Sequence, residues 1–137
     1  MGIDLISTGY FMCERIKVSI AAESTTAIDL MSIPKGTYIT DVLAKIVSKG
    51  VGTGDLDIGD DDDADGYLDG CDATAAVNTI YGDDPTERGV YLYDGTKKSL
   101  PGKLYTGDKT LKAVASAATL TTGVTADVYV MGFRAQA

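Results

Sequence analysis

The chain has 137 residues, a formal net charge of −8 and no histidine. This length predicts one domain that can bury a core without a disulfide or a metal. The negative charge argues against direct contact with nucleic acid or with anionic membranes, because both repel an acidic surface. Without histidine, the usual Ser-His-Asp, Cys-His and histidine–zinc sites are excluded, and we expect neither enzyme activity nor catalytic residues.

The two cysteines, Cys13 and Cys71, lie far apart in the sequence and lack the spacing of a metal site. We expect free thiols, as in a protein made in a reducing cytoplasm. A disulfide between them is the less favoured alternative, because the sequence does not show that the two residues meet. The sequence also lacks a basic leader and an apolar run of membrane-spanning length, about 20 residues, which agrees with synthesis in a cytoplasm.

The first 14 residues are rich in apolar side chains but follow no clear period. We predict that residues 1–14 form an N-terminal arm, which either covers its own domain or reaches a neighbouring subunit. The candidate interface residues of this arm are Ile3, Leu5, Ile6, Tyr10 and Phe11.

From residue 15 onward the sequence alternates between polar and apolar residues, which predicts a half-buried strand. Its inward face consists of Ile16, Val18 and Ile20. A second strand is predicted at residues 26–33. We expect residues 15–137 to form a single β-sandwich domain.

The stretch at residues 38–47 allows two interpretations. Its β-branched and aromatic residues favour a long strand, followed by a glycine-rich turn and a short return strand at residues 56–58. The same stretch also fits helical spacing, with Thr40 in the N-cap position and Gly50 just past the end. A strand is the preferred prediction, and a short helix at residues 40–49 is the alternative.

The sequence pattern of the second half of the chain predicts further short strands separated by turns. Residues 73–80 fit either a helical turn or a strand. The final strand is apolar on both faces, which is typical of a strand in the middle of a sheet or against a partner. About eight short strands and no sustained helix indicate an all-β protein, a jelly-roll-like antiparallel β-sandwich. The strands of this half are predicted at residues 90–93, 104–106, 110–117 and 126–134.

An acidic loop contains a weak calcium candidate at Asp61, Asp63 and Asp65. These carboxylates occupy positions one, three and five of a calcium-loop pattern, and Gly66 follows at position six. However, the twelfth position is Asp72 rather than the longer bidentate glutamate, and no amphipathic helix precedes the loop. The favoured interpretation is a solvated acidic turn without a cofactor, and weak calcium binding is the alternative.

Three segments of the chain resemble the capsid cement, or decoration, proteins of tailed bacteriophages. These segments are Pro-Lys-Gly-Thr-Tyr-Ile-Thr-Asp-Val at residues 34–42, Leu-Asp-Ile-Gly-Asp at 56–60 and Asp-Ala-Asp-Gly-Tyr-Leu-Asp at 63–69. The resemblance implies a jelly roll or small barrel that forms homo-oligomers on the outer surface of a virion, after assembly in the host cytoplasm. It implies the major capsid protein as the partner and carries no catalytic or ligand residues.

The expected function is therefore that of a structural virion protein that binds the outside of a phage capsid and stabilises contacts between major capsid protein subunits. The alternative is a carbohydrate- or receptor-binding β-sandwich of a phage head or tail fibre, because exposed tyrosines can stack on sugars. The tyrosines considered for this alternative are Tyr67, Tyr81, Tyr91, Tyr93 and Tyr105.

Overall fold

The computed structural model describes residues 10–93, 101–116 and 119–134, and almost all of its regular structure is β-strand. Two antiparallel sheets pack as a sandwich, which confirms the predicted all-β fold class. The strands are β1 (Tyr10–Ile20), β2 (Ile28–Ile33), β3 (Tyr38–Ser48), β4 (Asp55–Gly59), β5 (Leu68–Asp72), β6 (Ile80–Tyr81), β7 (Lys103–Leu104), β8 (Lys109–Ser116) and β9 (Val124–Arg134), with one 3-10 turn at Pro85–Glu87.

The strand order places the last strand of the chain in the middle of the larger sheet. The five-stranded sheet runs β1-β9-β3-β6, with β7 also paired to β3, and the four-stranded sheet runs β2-β8-β4-β5. The apolar character of both faces of β9 had predicted this central position, and the prediction is confirmed. Within the described part of the chain, no helix has the length and apolar character needed to cross a membrane.

β3 is a strand and not a helix, as preferred from its composition. Its buried side chains are Ile39, Val42, Ala44 and Ile46. A β-bulge lies between Ile39 and Asp41, where β3 pairs with β9. The extra residue of a bulge shifts the alternation, so Ile39 and Val42 share the inner face although they are three residues apart. This shift produced the helix-like spacing in the sequence.

The first strand begins earlier than predicted. β1 starts at Tyr10 rather than at residue 15, because β9 is long enough to pair with it along its whole length, from Tyr10 opposite Arg134 to Ile20 opposite Val124. Tyr10 and Phe11 therefore belong to the sheet and not to a separate arm. The other candidate arm residues, Ile3, Leu5 and Ile6, lie outside the described residues.

The prediction of a strand at residues 90–93 is wrong. The chain turns there, because the backbone N–H groups of Leu92 and Tyr93 both donate to the carbonyl oxygen of Gly89, at 3.0 and 2.9 Å. Residues 73–80 also turn, and only Ile80 at their end belongs to a strand.

The core lies between the two sheets and is formed by the inward faces of their strands. Cys71 is buried in this core, whereas Cys13 is exposed on β1, and both are free thiols as expected. The largest fully buried side chains are Tyr67, Tyr105, Met12, Ile20, Ile33, Ile39, Ile46, Leu56, Ile58, Leu68, Leu111 and Leu120.

Gly132 of β9 provides a test of the central strand pairing. A Cβ atom at this position would overlap the carbonyl oxygen of Tyr38 and lie 2.9 Å from the Cα atom of Ile39. We expect Gly132→Ala to lower the free energy of unfolding by about 1–3 kcal/mol, because β3 and β9 must separate. Urea denaturation measures this loss. Gly107→Ala is the control, because no atom lies within 4 Å of its Cβ position, and equal unfolding midpoints for the two variants would contradict the prediction.

Candidate functional site

A buried carboxylate lies at the end of β4, where the acidic loop begins. The side chain of Asp60 is 0% exposed. Its Oδ1 atom accepts hydrogen bonds from the backbone N–H groups of Asp62 and Asp63 and from the Tyr91 hydroxyl, at 2.9, 3.0 and 3.0 Å. Its Oδ2 atom accepts from Lys103 Nζ and from the Tyr105 hydroxyl, both at 2.7 Å. The negative charge is thus compensated by a cation and four further donors.

Lys103 uses all three of its N–H donors in this cluster. Besides Asp60, its Nζ atom donates to Asp62 Oδ2 at 3.1 Å and to the Tyr91 hydroxyl oxygen at 2.9 Å. It also lies over the rings of Tyr91 and Tyr105, 4.3 and 4.8 Å from their centroids, and such cation–π contacts are favourable. One lysine therefore joins the acidic loop, the turn at residues 89–93 and the strand β7.

The tyrosine hydroxyls form a chain that ends on the carboxylate. Tyr105 donates to Asp60, so Tyr67 is the donor in the 2.8 Å hydrogen bond between the Tyr67 and Tyr105 hydroxyls. The rings of Tyr67 and Tyr91 pack edge to face, with centroids 5.0 Å apart. We call Asp60, Tyr67, Tyr91, Lys103 and Tyr105 the Asp60 cluster.

The environment keeps the Asp60 cluster charged and hydrogen-bonded at neutral pH. Burial raises the pKa of the Asp60 carboxyl, but the hydrogen bonds from Lys103, Tyr105 and the loop backbone outweigh burial, and the pKa lies below its usual value. Burial lowers the pKa of Lys103, whereas the hydrogen bonds to Asp60, Tyr91 and Asp62 raise it more. Burial raises the pKa of Tyr91 to about 12. Because protein groups engage these polar atoms, the cluster acts as a structural clamp.

Sequence reasoning did not identify the Asp60 cluster. Tyr105 lies 45 residues from Asp60 and Lys103 lies 43 residues from it, and no period or motif connects such distant positions. The only local signal is an aspartate at the end of an apolar strand, with backbone N–H groups two and three residues later that can bond to its side chain.

The structure separates Asp61 from the other two calcium candidates, Asp63 and Asp65. Asp61 is directed to β8, where it accepts from the Thr110 backbone N–H at 2.9 Å and pairs with Lys112 at 2.8 Å. A hydrogen bond between the carboxyls of Asp63 and Asp65 raises the pKa of Asp63. Within residues 10–93, 101–116 and 119–134, no three Asp, Glu, Cys or His side chains are grouped to hold a metal ion. Calcium binding by this loop stays a prediction of the sequence.

Three of the five tyrosines considered for sugar binding are buried. Tyr67 and Tyr105 are buried in the Asp60 cluster, and Tyr81 is buried with its hydroxyl bonded to the Asp72 carbonyl oxygen at 2.9 Å. Tyr91 and Tyr93 are half-buried. These side chains therefore do not form a common stacking surface.

A row of large apolar side chains crosses one end of the five-stranded sheet on its outer face. Tyr38 of β3 is opposite both Phe133 of β9 and Leu104 of β7, and Phe133 is opposite Phe11 of β1. Residues in direct register point to the same face. Phe11, Phe133 and Leu104 are 64, 54 and 59% exposed, and the two Phe rings meet edge to face at 5.9 Å. We call these four residues the aromatic row.

Next to the aromatic row, along β9 from Met131 to Asp127, the outer face continues as an apolar surface with basic residues. Met131 lies between Cys13 and Asp41, and Tyr129 lies between Arg15 and Leu43. In the next row Asp127 lies between Lys17 and Lys45, and Lys45 is opposite Ile80. Leu43, Lys45, Ile80 and Tyr129 line a shallow pocket of about 350 Å³.

The outer face of the four-stranded sheet has a different character. Asp55 of β4 is opposite Asp72 of β5. Burial and the nearby charges of Asp57 and Asp72 raise the pKa of Asp55. Asp29 of β2 and Asp69 of β5 are exposed, so this sheet presents several carboxylates to solvent. Lys112 of β8 lies opposite Asp29 and pairs with Asp61 at 2.8 Å. One outer face of the sandwich is thus apolar with mostly basic charges, and the other carries mostly carboxylates.

Comparisons with known proteins give structural matches only. No protein-family model matches the chain, and no curated protein matches its sequence. A chain of the cyanophage Pam1 capsid asymmetric unit matches with a TM-score of 0.61 and 12% identity, over 98% of this chain and 90% of that chain. A chain of the acid-stable capsid of Helicobacter pylori bacteriophage KHP30 matches with a TM-score of 0.55 and 17% identity, over 91% of this chain and 92% of that chain. At these identities the matches show a shared fold.

Replacing the buried carboxylate tests the clamp. Asp60→Asn keeps the shape of the side chain but leaves Lys103 without its buried counter-ion, and we expect a loss of about 3 kcal/mol in the free energy of unfolding at neutral pH. Asp62→Asn is the control, because Asp62 also contacts Lys103 but its side chain is 48% exposed, and surface ion pairs contribute little. Urea denaturation compares the two variants. An equal loss of unfolding free energy in both variants would show that the burial of Asp60 does not determine its contribution to stability.

The Asp60 charge also predicts how stability depends on pH. Folding lowers the pKa of Asp60, so its contribution is complete above the pKa in the unfolded chain, about 3.9, and is lost as the pH falls through the lower folded value. The difference in unfolding free energy between wild type and Asp60→Asn should be constant above about pH 5 and shrink below about pH 4. Denaturant titrations of both proteins over this range measure it, and a difference that grows in acid would contradict the assignment.

Proposed function

We propose that this chain is a structural protein of a phage virion that binds the outer surface of the capsid and stabilises contacts between major capsid protein subunits. The aromatic row is the observation that carries the proposal, because it is a large exposed apolar surface on a hydrogen-bonded sheet. The fold shared with chains of two phage capsids supports the assignment to a virion. The resemblance of the sequence to decoration proteins supports the position on the outside.

The aromatic row suits adhesion for a physical reason. Burial of apolar surface stabilises a contact by about 25 cal/mol per Å², and aromatic residues, Phe included, are enriched at protein–protein interfaces. Phe11, Phe133 and Leu104 extend from three strands that the sheet already holds in place, so binding orders little additional backbone. A rigid sheet that contacts two capsid subunits at once would add interface area that opposes their separation.

The remaining features of the chain agree with a structural role. A formal charge of −8 keeps the protein away from packaged DNA. The Asp60 cluster stabilises loops and leaves its polar atoms engaged, so we expect no catalysis. Self-association on the shell, which would add avidity, stays a prediction. The inward tyrosines give no support to the fibre-type sugar-binding alternative.

Removing the two phenylalanines of the aromatic row tests the proposal. Capsid shells assembled without this chain, from the major capsid protein of the same phage, should bind the purified wild-type protein and disassemble at a higher temperature. Phe11→Ser combined with Phe133→Ser should weaken binding at least about tenfold, which corresponds to about 1.4 kcal/mol. Co-sedimentation gives the affinity, and light scattering during heating gives the disassembly temperature.

The control variant is Val77→Ser, because Val77 is 51% exposed and lies in a turn outside the sheet. It should bind shells as the wild type does. Circular dichroism checks that the double variant keeps its fold, which we expect because both phenylalanines are more than half exposed. Failure of the wild-type protein to bind any shell, or unchanged binding of a folded double variant, would reject the proposal.

A further inference from the structure

The outer face of the five-stranded sheet carries mostly basic charges, which are opposite in sign to the net charge of the chain. Arg15 and Lys17 are exposed, and Lys45 is half-buried at the rim of the pocket. Two carboxylates lie on this face: Asp127, between Lys17 and Lys45, is only 5% exposed, and Asp41, opposite Met131, pairs with Arg88 at 3.4 Å. A partner approaching this face therefore meets basic groups around an apolar surface, on a protein whose formal net charge is −8.

The opposite face has carboxylates but lacks apolar groups that could bind. The large exposed apolar residues of the described chain are Tyr10, Phe11, Val51, Val77, Ile80, Val90, Leu104 and Phe133, and none of them lies on β2, β4, β5 or β8. The face of the four-stranded sheet therefore presents Asp29, Asp55, Asp69 and Asp72 without an apolar side chain that could enter the pocket of the other face.

These two surfaces argue against a second copy of the chain as the occupant. Two outer faces in contact would bring Arg15, Lys17 and Lys45 of one copy onto a face that is itself mostly basic, and like charges across an interface are unfavourable. Contact between the outer face and the acidic face of another copy would pair charges but leave the pocket and the aromatic row without apolar partners. A different protein that combines carboxylates with apolar side chains satisfies both requirements.

We propose that the outer face binds an acidic surface of the major capsid protein, with an apolar side chain of that protein in the pocket between Leu43, Ile80 and Tyr129 and a carboxylate against Lys45. This inference rests on the proposed function and adds the orientation and the chemistry of the partner. The acidic four-stranded sheet then faces solvent. Basic groups around apolar residues are the arrangement expected of a specific contact. The charges select the partner, and burial of the apolar side chains holds it.

Two pairs of matched variants test the inference in the shell-binding assay. Lys17→Gln with Lys45→Gln removes two positive charges from the outer face, and Lys35→Gln with Lys49→Gln removes two exposed ones outside its rows. Ile80→Glu places a carboxylate at the pocket, and Val77→Glu places one at a turn residue of the same exposure, 51%. We expect each outer-face variant to weaken binding about tenfold at low salt and each control to bind as the wild type does. Wild-type affinity should fall with added NaCl, because salt screens exposed charges, and the lysine variant should lose most of this dependence.

The possible results distinguish the two levels of the proposal. If the wild type does not bind shells, the proposed function fails. If the wild type binds but the outer-face variants match their controls, the inference fails and the proposed function stands. Loss of binding in the phenylalanine variant alone would also reject the inference, because it would mean an apolar contact without charge selection. Light scattering of the free protein completes the test: an oligomer that the outer-face variants dissociate, with unchanged shell binding, would assign this face to a second copy.

Discussion

The buried charge of Asp60 is the constraint on which the loop structure depends. An ionised carboxylate without exposure to water costs several kcal/mol unless a cation and hydrogen bonds compensate it, and here the compensation comes from distant parts of the chain. Lys103 supplies the cation, and its neighbour Leu104 belongs to the aromatic row. The two-residue strand β7 thus connects the clamp to the proposed binding surface, since holding Lys103 also positions Leu104.

The two sheets of the sandwich share one core, but their outer faces have different properties. Alternation along β1 and β9 directs Val18 and Val128 inward, and it directs Lys17 and Tyr129 outward on the same strands. The hydrogen-bonded sheet fixes the spacing of these outward residues, so the surface is organised before any partner arrives. Adhesion needs such a preformed surface and no reactive group, which agrees with a chain whose most unusual polar cluster is fully occupied by its own side chains.

Local patterns predicted those parts of the structure that follow simple rules. Strict alternation identified β1 and β8, and the two apolar faces of β9 indicated its central position. The bulge in β3 obscured the alternation between Ile39 and Val42, and the turn at residues 90–93 resembled a strand because its apolar residues pack on the loops. The Asp60 cluster and the grouping of the aromatic row could not be predicted, because both depend on contacts between segments that are remote in the sequence. Of the aromatic row, only Phe11 was a candidate interface residue.

The pairing of β1 with β9 has a consequence for synthesis of the protein. β1, the first described strand, forms its hydrogen bonds with β9, the last one. β3 pairs with the other edge of β9. The larger sheet therefore closes only after β9 has left the ribosome, and contacts of such long range are slow to form. Until then β1 lacks its partner and β3 can pair only with the two-residue strands β6 and β7. Such unpaired strand edges favour aggregation of an incomplete chain.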